Sequence, residues 1–311
     1  MAAERNRHRE VHLGMGLALV AGWLVVATGC GGGVSGGVSL TQQYRNALQE
    51  VNPDTRARQL VQIAVKQETA GDMSGAETSL VAAAEAGKEV TDPMARASAL
   101  NQVAYAQGKM GMLAESRAVL KEVGQTVPQI ESDEARAAAL GLMAVTQGRF
   151  LDNQTAAAAH LKEAEHLADG AADAESRVTI LLDLAQNWGR LGDDNEAERL
   201  VQRAQDVAQE GQTARKRCDA LASVAAALAR MDKTELADQA FDQSLQAARE
   251  ISEDVSQAHA LADLALQMIN ANRKPRAAEV LKEAEAVAET ITDQGLQKEV
   301  VDKIFSRQGS L

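Results

Sequence analysis

The chain has 311 residues, of which 45% are apolar, 24% charged and 2% aromatic, enough for one or two ordinary domains. Seven aromatic side chains, one of them Trp23 near the N-terminus, cannot wall a large β-sandwich core or build the stacking platforms of single-stranded nucleic-acid binders. A formal charge of −12 opposes unspecific attraction to nucleic acid, which is not expected as a partner, and two cysteines exclude a disulfide framework.

Residues 1–29 have the three parts of an export signal: a basic start (Arg5, Arg7, Arg9), an apolar run from Leu13 to Ala27, and small residues before Cys30. The apolar run is shorter than the roughly 20 residues that a membrane span needs. The segment Val26-Ala27-Thr28-Gly29-Cys30 resembles a bacterial lipobox, with Ala27 where Leu is commoner. The resemblance implies that the chain is cut before Cys30 and lipidated on that cysteine. Removal of the leader leaves 29 basic and 42 acidic residues. Residues 30–38, rich in glycine, read as a flexible tether with a reach of roughly 15 Å. The expected location is therefore the bacterial cell envelope, anchored by lipid to a membrane and facing the periplasm or the exterior.

From Ser39 onward the composition is that of helices. Ala, Leu, Gln, Glu, Arg and Lys dominate, and four prolines and little β-branched alternation argue against strands. Ser39 and Gln42 make a capping-box pattern for a helix to about Val51. A repeat then begins. Leu60, Leu100, Leu140, Leu181, Leu221 and Leu261 recur at intervals of 40, 40, 41, 40 and 40, each followed four residues later by an alanine. A large apolar residue precedes each alanine, which completes a helical i, i+3, i+4 face. Eight residues before each leucine stand Asn52, Asp92, Ser132, Asp173, Thr213 and Glu253, five of them good N-cap residues. A second small column (Ala76, Ser116, Ala157, Ala197, Ala237, Ala277) is followed four residues on by Leu80, Leu120, Leu161, Val201, Phe241 and Leu281, marking a second helix. Turn signals such as Ala70-Gly71-Asp72 and Gly192-Asp193 lie between the two. The units span about 52–91, 92–131, 132–172, 173–212, 213–252 and 253–292, with a closing helix over 293–307.

One such pair buries too little apolar surface to offset the ordering of 40 residues, so neighbouring units must complete each other's core. The columns, large-large-small in the first helix and small-apolar-small in the second, resemble the tetratricopeptide repeat over roughly Asn52 to Thr292. That family's aromatic positions are mostly aliphatic here, and its usual period is 34. The six further residues predict about one extra turn on each helix. HEAT-like solenoids have a closer period, but the paired alanine columns favour the tetratricopeptide likeness. The expected fold is all-α: a right-handed α-solenoid of six hairpins with a capping helix at each end.

In the family resembled, first helices line a groove that receives a peptide or a partner segment. By register that groove would show Arg58, Asn101, Gln102, Tyr105, Leu142, Val145, Leu182, Asp183, Gln186, Asp219, His259, Asp263 and Leu266. A basic row, Lys109, Arg149, Arg190 and Arg230, stands near the ends of four successive first helices; it could hold an acidic partner segment, or simply favour the helix C-termini. Asn101, Tyr105, Lys109, Arg149, Asp183, Gln186, Arg190 and Arg230 are the candidate partner-binding residues. Another row, Arg56, Arg96, Arg136, Arg177 and Arg217, stands at helix starts, where nearby acids such as Asp54, Asp92, Asp133, Asp173 and Glu175 are expected to compensate it. Catalytic motifs are missing: no HExxH, paired CxxC, phosphate-cradling glycine loop or GxSxG elbow occurs. No cofactor, metal or enzymatic activity is expected. The likeness of a lipid anchor joined to such repeats is to type IV pilus pilotins and barrel-assembly lipoproteins. The expected function is a membrane-tethered adaptor; the alternatives are a structural spacer, or a hydrolase using Asp183, Asp219 and Asp263.

Overall fold

The computed structural model describes residues 38–311. The export signal, Cys30 and the tether up to Gly37 lie outside the described residues. Those from Ser39 onward form one body of helices: α1 (Leu40–Leu48), α2 (Pro53–Thr69), α3 (Met73–Glu89), α4 (Pro93–Lys109), α5 (Leu113–Thr126), α6 (Asp133–Phe150), α7 (Gln154–Gly170), α8 (Ala174–Leu191), α9 (Asp194–Gln209), α10 (Ala214–Arg230), α11 (Thr234–Arg249), α12 (Asp254–Asn270), α13 (Lys274–Ala288) and α14 (Gln294–Gln308). A single 3-10 turn, Val127–Gln129, follows α5. One helix, six hairpins and one helix make an all-α, tetratricopeptide-like solenoid, as the columns predict. None of the described helices is long and apolar enough to cross a membrane.

Every first helix starts at its expected cap. Asn52, Asp92, Ser132, Asp173 and Thr213 accept from the backbone N–H three residues on. Glu253 does the same from Ser256 at 3.2 Å: its extra methylene still lets the carboxylate fold back, so a residue outside the preferred set caps here too. α1 ends at Leu48, three residues short of the expected Val51. The chain must turn there, because the Glu50 carboxylate accepts from the Asn52 N–H at 2.9 Å while Asn52 caps α2.

Inside each hairpin the reversal uses one residue with positive φ: Gly71, Gly111, Asp152, Gly192, Asp232 and Asn272. Glycine, aspartate and asparagine are the residues that accept this conformation at least cost. The single 41-residue spacing is absorbed at the end of α6, where the Asn153 N–H reaches back six residues to the Gln147 carbonyl at 3.1 Å; the matching bond in the first hairpin, Asp72 to Gln67, spans five. Asp232→Val, which places a β-branched residue at φ 57, is expected to cost roughly 1–2 kcal/mol, read as a lower melting temperature.

Stacking is asymmetric. Each first helix contacts the first helices before and after it as well as the second helices on either side, whereas second helices of adjacent units lack comparable contacts. Long ion pairs bridge them instead: Arg199 of α9 reaches Glu165 of α7 at 2.9 Å, and Arg249 of α11 reaches Glu283 of α13 at 2.7 Å. The first helices can approach closely because small residues stand between them. A Cβ on Gly141 of α6 would lie 2.2 Å from the Asn187 amide of α8. The first helices thus occupy the tighter side of the stack, and it is this side that can present a continuous face to a ligand.

The arginine row at the helix starts finds partners other than those expected. Arg56 donates to the Glu50 carbonyl at 3.0 Å and pairs with Glu89; Arg217 donates to the Gly211 carbonyl at 3.2 Å and pairs with Glu250 at 2.5 Å. Arg96 takes the Val90 carbonyl at 2.6 Å, and Arg177 pairs with Glu210 at 3.1 Å. Only Arg136 pairs with a proposed acid, Asp133. Asp92 and Asp173 serve as caps, and Asp54 pairs with Arg58. Gln257 and Gln297 continue the column, donating to the carbonyls of Ala248 and Ala288 at 3.3 and 3.1 Å. The physical reason is the macrodipole: Arg56, Arg96 and Arg217 turn from an unfavourable helix start to the negative end of a second helix, and Arg136 stays with Asp133 on its own helix.

Candidate functional site

The face formed by the first helices carries two separate charged groups. The first lies on α4, α6, α8 and α10. Tyr105 on α4 and Phe150 at the end of α6 meet edge to face with centroids 5.1 Å apart. Arg149 lies over the Phe150 ring at 5.5 Å and donates to the Tyr105 hydroxyl at 3.2 Å. Arg190, one unit on, donates to Asn187 Oδ1 at 3.2 Å. Asp183 and Arg230 complete the group.

The electrostatics of this group are those of charges crowded between neighbouring first helices. The Asp183 carboxylate is reachable by water, yet the surrounding walls exclude enough solvent to raise its pKa. Arg190 and Arg230 pull it back down, and Glu134 adds to the rise. The same loss of solvation lowers Arg190 and Arg230 below the ordinary guanidinium value, opposed for both by Asp183. Arg190 and Arg230 therefore act on the Asp183 carboxylate, with Arg149 held next to Arg190 on Tyr105 and Phe150. Because ionised Asp183 is less favourable folded than unfolded, its contribution to stability falls as pH rises through and just above the usual carboxylate range. Asp183→Asn is expected to flatten that fall, measured by denaturant unfolding at pH 4 and pH 7.

The basic row does not act as one unit. Lys109 is neutralised by Glu68 of the preceding first helix at 3.1 Å. Asn101 is 1% exposed: its amide donates to the Ala139 carbonyl of α6 at 3.0 Å, so it ties two first helices together and is not open on the face. Val145 is likewise buried, whereas Gln186, Leu142, Leu182 and Leu266 are half-buried on the face. Phe150, Asn187 and Glu134 belong to the group but were not among the sequence candidates. With only seven aromatics in the chain, Tyr105 and Phe150 on consecutive first helices were the available signal.

The second group is an ion-pair network on α10, α12 and α14. Arg215 bridges Asp219 at 2.8 Å and Asp263 at 3.1 Å, and Lys303 also holds Asp263, at 2.9 Å. Asp183 answers to Arg190, Arg230 and Glu134 instead, so the three groove carboxylates do not share one site. His259 nearby has a buried Nδ1 without a partner, and burial followed by Lys303 lowers its pKa. Cys218 is buried against Ser244, and burial pushes its thiol up to about 11, leaving almost no thiolate at neutral pH. Among the described residues no group of three or more His, Cys, Asp or Glu is placed to hold a metal ion.

Fold and register together define a helical-repeat protein. No family model and no curated protein matches the chain. Among solved structures it is similar to Ton1535 from Thermococcus onnurineus NA1, with 16% identity, a TM-score of 0.43, and 84% of this chain and 94% of that one covered. It is also similar to BtubC (BKLC) from P. vanneervenii, at 13% identity and a TM-score of 0.36 over 82% of this chain and 93% of that one. A third is a Rap protein complexed with competence and sporulation factor, at 14% identity and a TM-score of 0.36 over 86% and 78% respectively.

Proposed function

We propose that the chain is a non-enzymatic adaptor of the bacterial envelope, held to a membrane through lipid on Cys30, that grips an acidic segment of a partner protein on its first-helix face. The observation that supports the reading is the gathering of Arg190 and Arg230 on Asp183, with Arg149 beside them against Tyr105 and Phe150, on the first-helix face of an acidic protein. A carboxylate-bearing segment would meet these guanidinium groups through bidentate, charge-assisted hydrogen bonds, stronger than neutral ones and suited to guanidinium geometry. Tyr105 and Phe150 offer an aromatic wall beside it. Against an enzymatic role stand the cation-paired carboxylates of Asp219 and Asp263 and the raised thiol of Cys218. The anchor rests on the lipobox likeness at Val26-Ala27-Thr28-Gly29-Cys30.

The test places a photo-cross-linker at Gln186 on the face, and at Glu163 on α7 as a control, in cells expressing the full chain. The expected result is a discrete envelope protein captured from Gln186 alone, and lost when Arg190 and Arg230 are changed to Glu. Equal capture from Glu163, or capture indifferent to charge reversal, refutes the groove; no capture at all leaves a spacer. Separately, Cys30→Ser should abolish fatty-acid labelling and release the chain from membranes. A Cys30→Ser chain that stays full length and membrane-bound would refute the anchor.

A further inference from the structure

The basic row has a period as well as a sign. Arg149, Arg190 and Arg230 hold one column on α6, α8 and α10, one cation to each unit. Arg149 and Arg230 are exposed and Arg190 is half-buried. The row is bounded on both sides: Lys109 before it is neutralised by Glu68, and Asn270 takes the same column on α12. Arg149 leans on neutral groups, the Tyr105 hydroxyl and the Phe150 ring, and its charge acts on Arg190 one unit away. Like charges in a row repel, and anions seated along it relieve that repulsion.

The step of the row follows from helix packing. Packed helices lie roughly 8–10 Å apart, so three cations on successive first helices span about 16–20 Å. A bound chain can place acids at that step in few ways. On one face of a strand, side chains recur every ~6.6–6.8 Å, which is too short. Polyproline II turns once in three residues and rises ~3.1 Å per residue, so every third side chain returns to one face after ~9.3 Å. A helix with an acid at every seventh residue steps ~10.5 Å, but it docks through a continuous apolar stripe. Beside Arg190 and Arg230 the face carries Asp183, Gln186 and Ser223 instead. Such polar groups suit an extended chain, whose backbone N–H and C=O groups have no internal partners.

We infer that the acidic partner segment binds as a polyproline II stretch with a carboxylate at every third residue, its three acids meeting Arg149, Arg190 and Arg230 in turn. Prolines or other apolar residues between the acids lie against Tyr105 and Phe150, as such segments do on aromatic-lined grooves. Asp183, on the same face and close to Arg190 and Arg230, repels acids at the intervening positions and so selects the spacing. The inference rests on the acidic-segment reading above and adds the shape and the acid spacing of the ligand.

The experiment measures binding of fluorescently labelled peptides to the full chain in detergent, by anisotropy at low salt. Three peptides of one composition, three Glu among Pro and Ala, carry the acids at every third residue, at every second residue, or consecutively. A fourth is an alanine-rich helix with Glu at every seventh residue. The every-third peptide is expected to bind tighter than each of the others by about tenfold, the effect of one charge-assisted contact. Arg230→Gln, at an exposed position, should remove that advantage and leave the melting temperature unchanged. Equal affinity for every spacing would overturn the inference and leave the acidic-segment reading standing. A preference for the every-second peptide or for the helix would overturn it in the same way. Failure of all four to bind would overturn it together with that reading, which the Gln186 cross-link tests without peptides.

Discussion

Phe241→Ala is expected to lower the unfolding free energy by about 3–5 kcal/mol, the range for removing a fully buried phenyl ring. Phe241 is 0% exposed in α11, in a column that otherwise holds leucine or valine. Each described helix touches only its neighbours along the stack, so the cavity should weaken the array locally. Amides in α10 to α13 are expected to lose hydrogen-exchange protection, while those of α2 and α3 keep theirs. Equal loss of protection in every helix would show that the hairpins unfold as one globule, and the nearest-neighbour description of this protein would fail.

Ala185→Leu is expected to cost about 1–3 kcal/mol by overpacking, read from thermal melting. Ala185 is 1% exposed on α8, in the column where Ala64 meets a second helix and the next first helix at once. An isobutyl group has no space to enter there, so either the hairpin opens or the next unit is displaced. The terminal member of the same column supplies the control. Phe305→Leu alters an exposed ring on α14 and is expected to stay within about 0.5 kcal/mol of the parent. A neutral Ala185→Leu would mean that the small column does not set the distance between helices.

The face proposed to bind a partner was legible only in outline. Register alone put Arg149, Asp183, Arg190 and Arg230 on the first-helix side, because periodicity along a helix fixes which face a residue takes. It could not separate Lys109, neutralised by Glu68, from Arg149, which reaches Tyr105 and Phe150. Nor could it show that Asn101 turns inward to the Ala139 carbonyl. Those outcomes depend on the rotamers of side chains about 40 positions apart and on how closely two first helices approach.

Sequence by itself determined the six hairpins, their caps and the single-helix ends, because capping, turn conformation and apolar periodicity are local and repeat every 40 or 41 residues. Tertiary structure alone decided that Arg56, Arg96, Arg177 and Arg217 serve the ends of second helices, while Arg136 keeps the acid beside it. It alone separated the three groove carboxylates into two differently charged groups. It also left Val301 and Phe305 of α14 exposed where internal first helices bury the same columns. The common reason is that charge pairing and burial are set by which hairpin lies against which, and a column in one chain does not state the distance to the next.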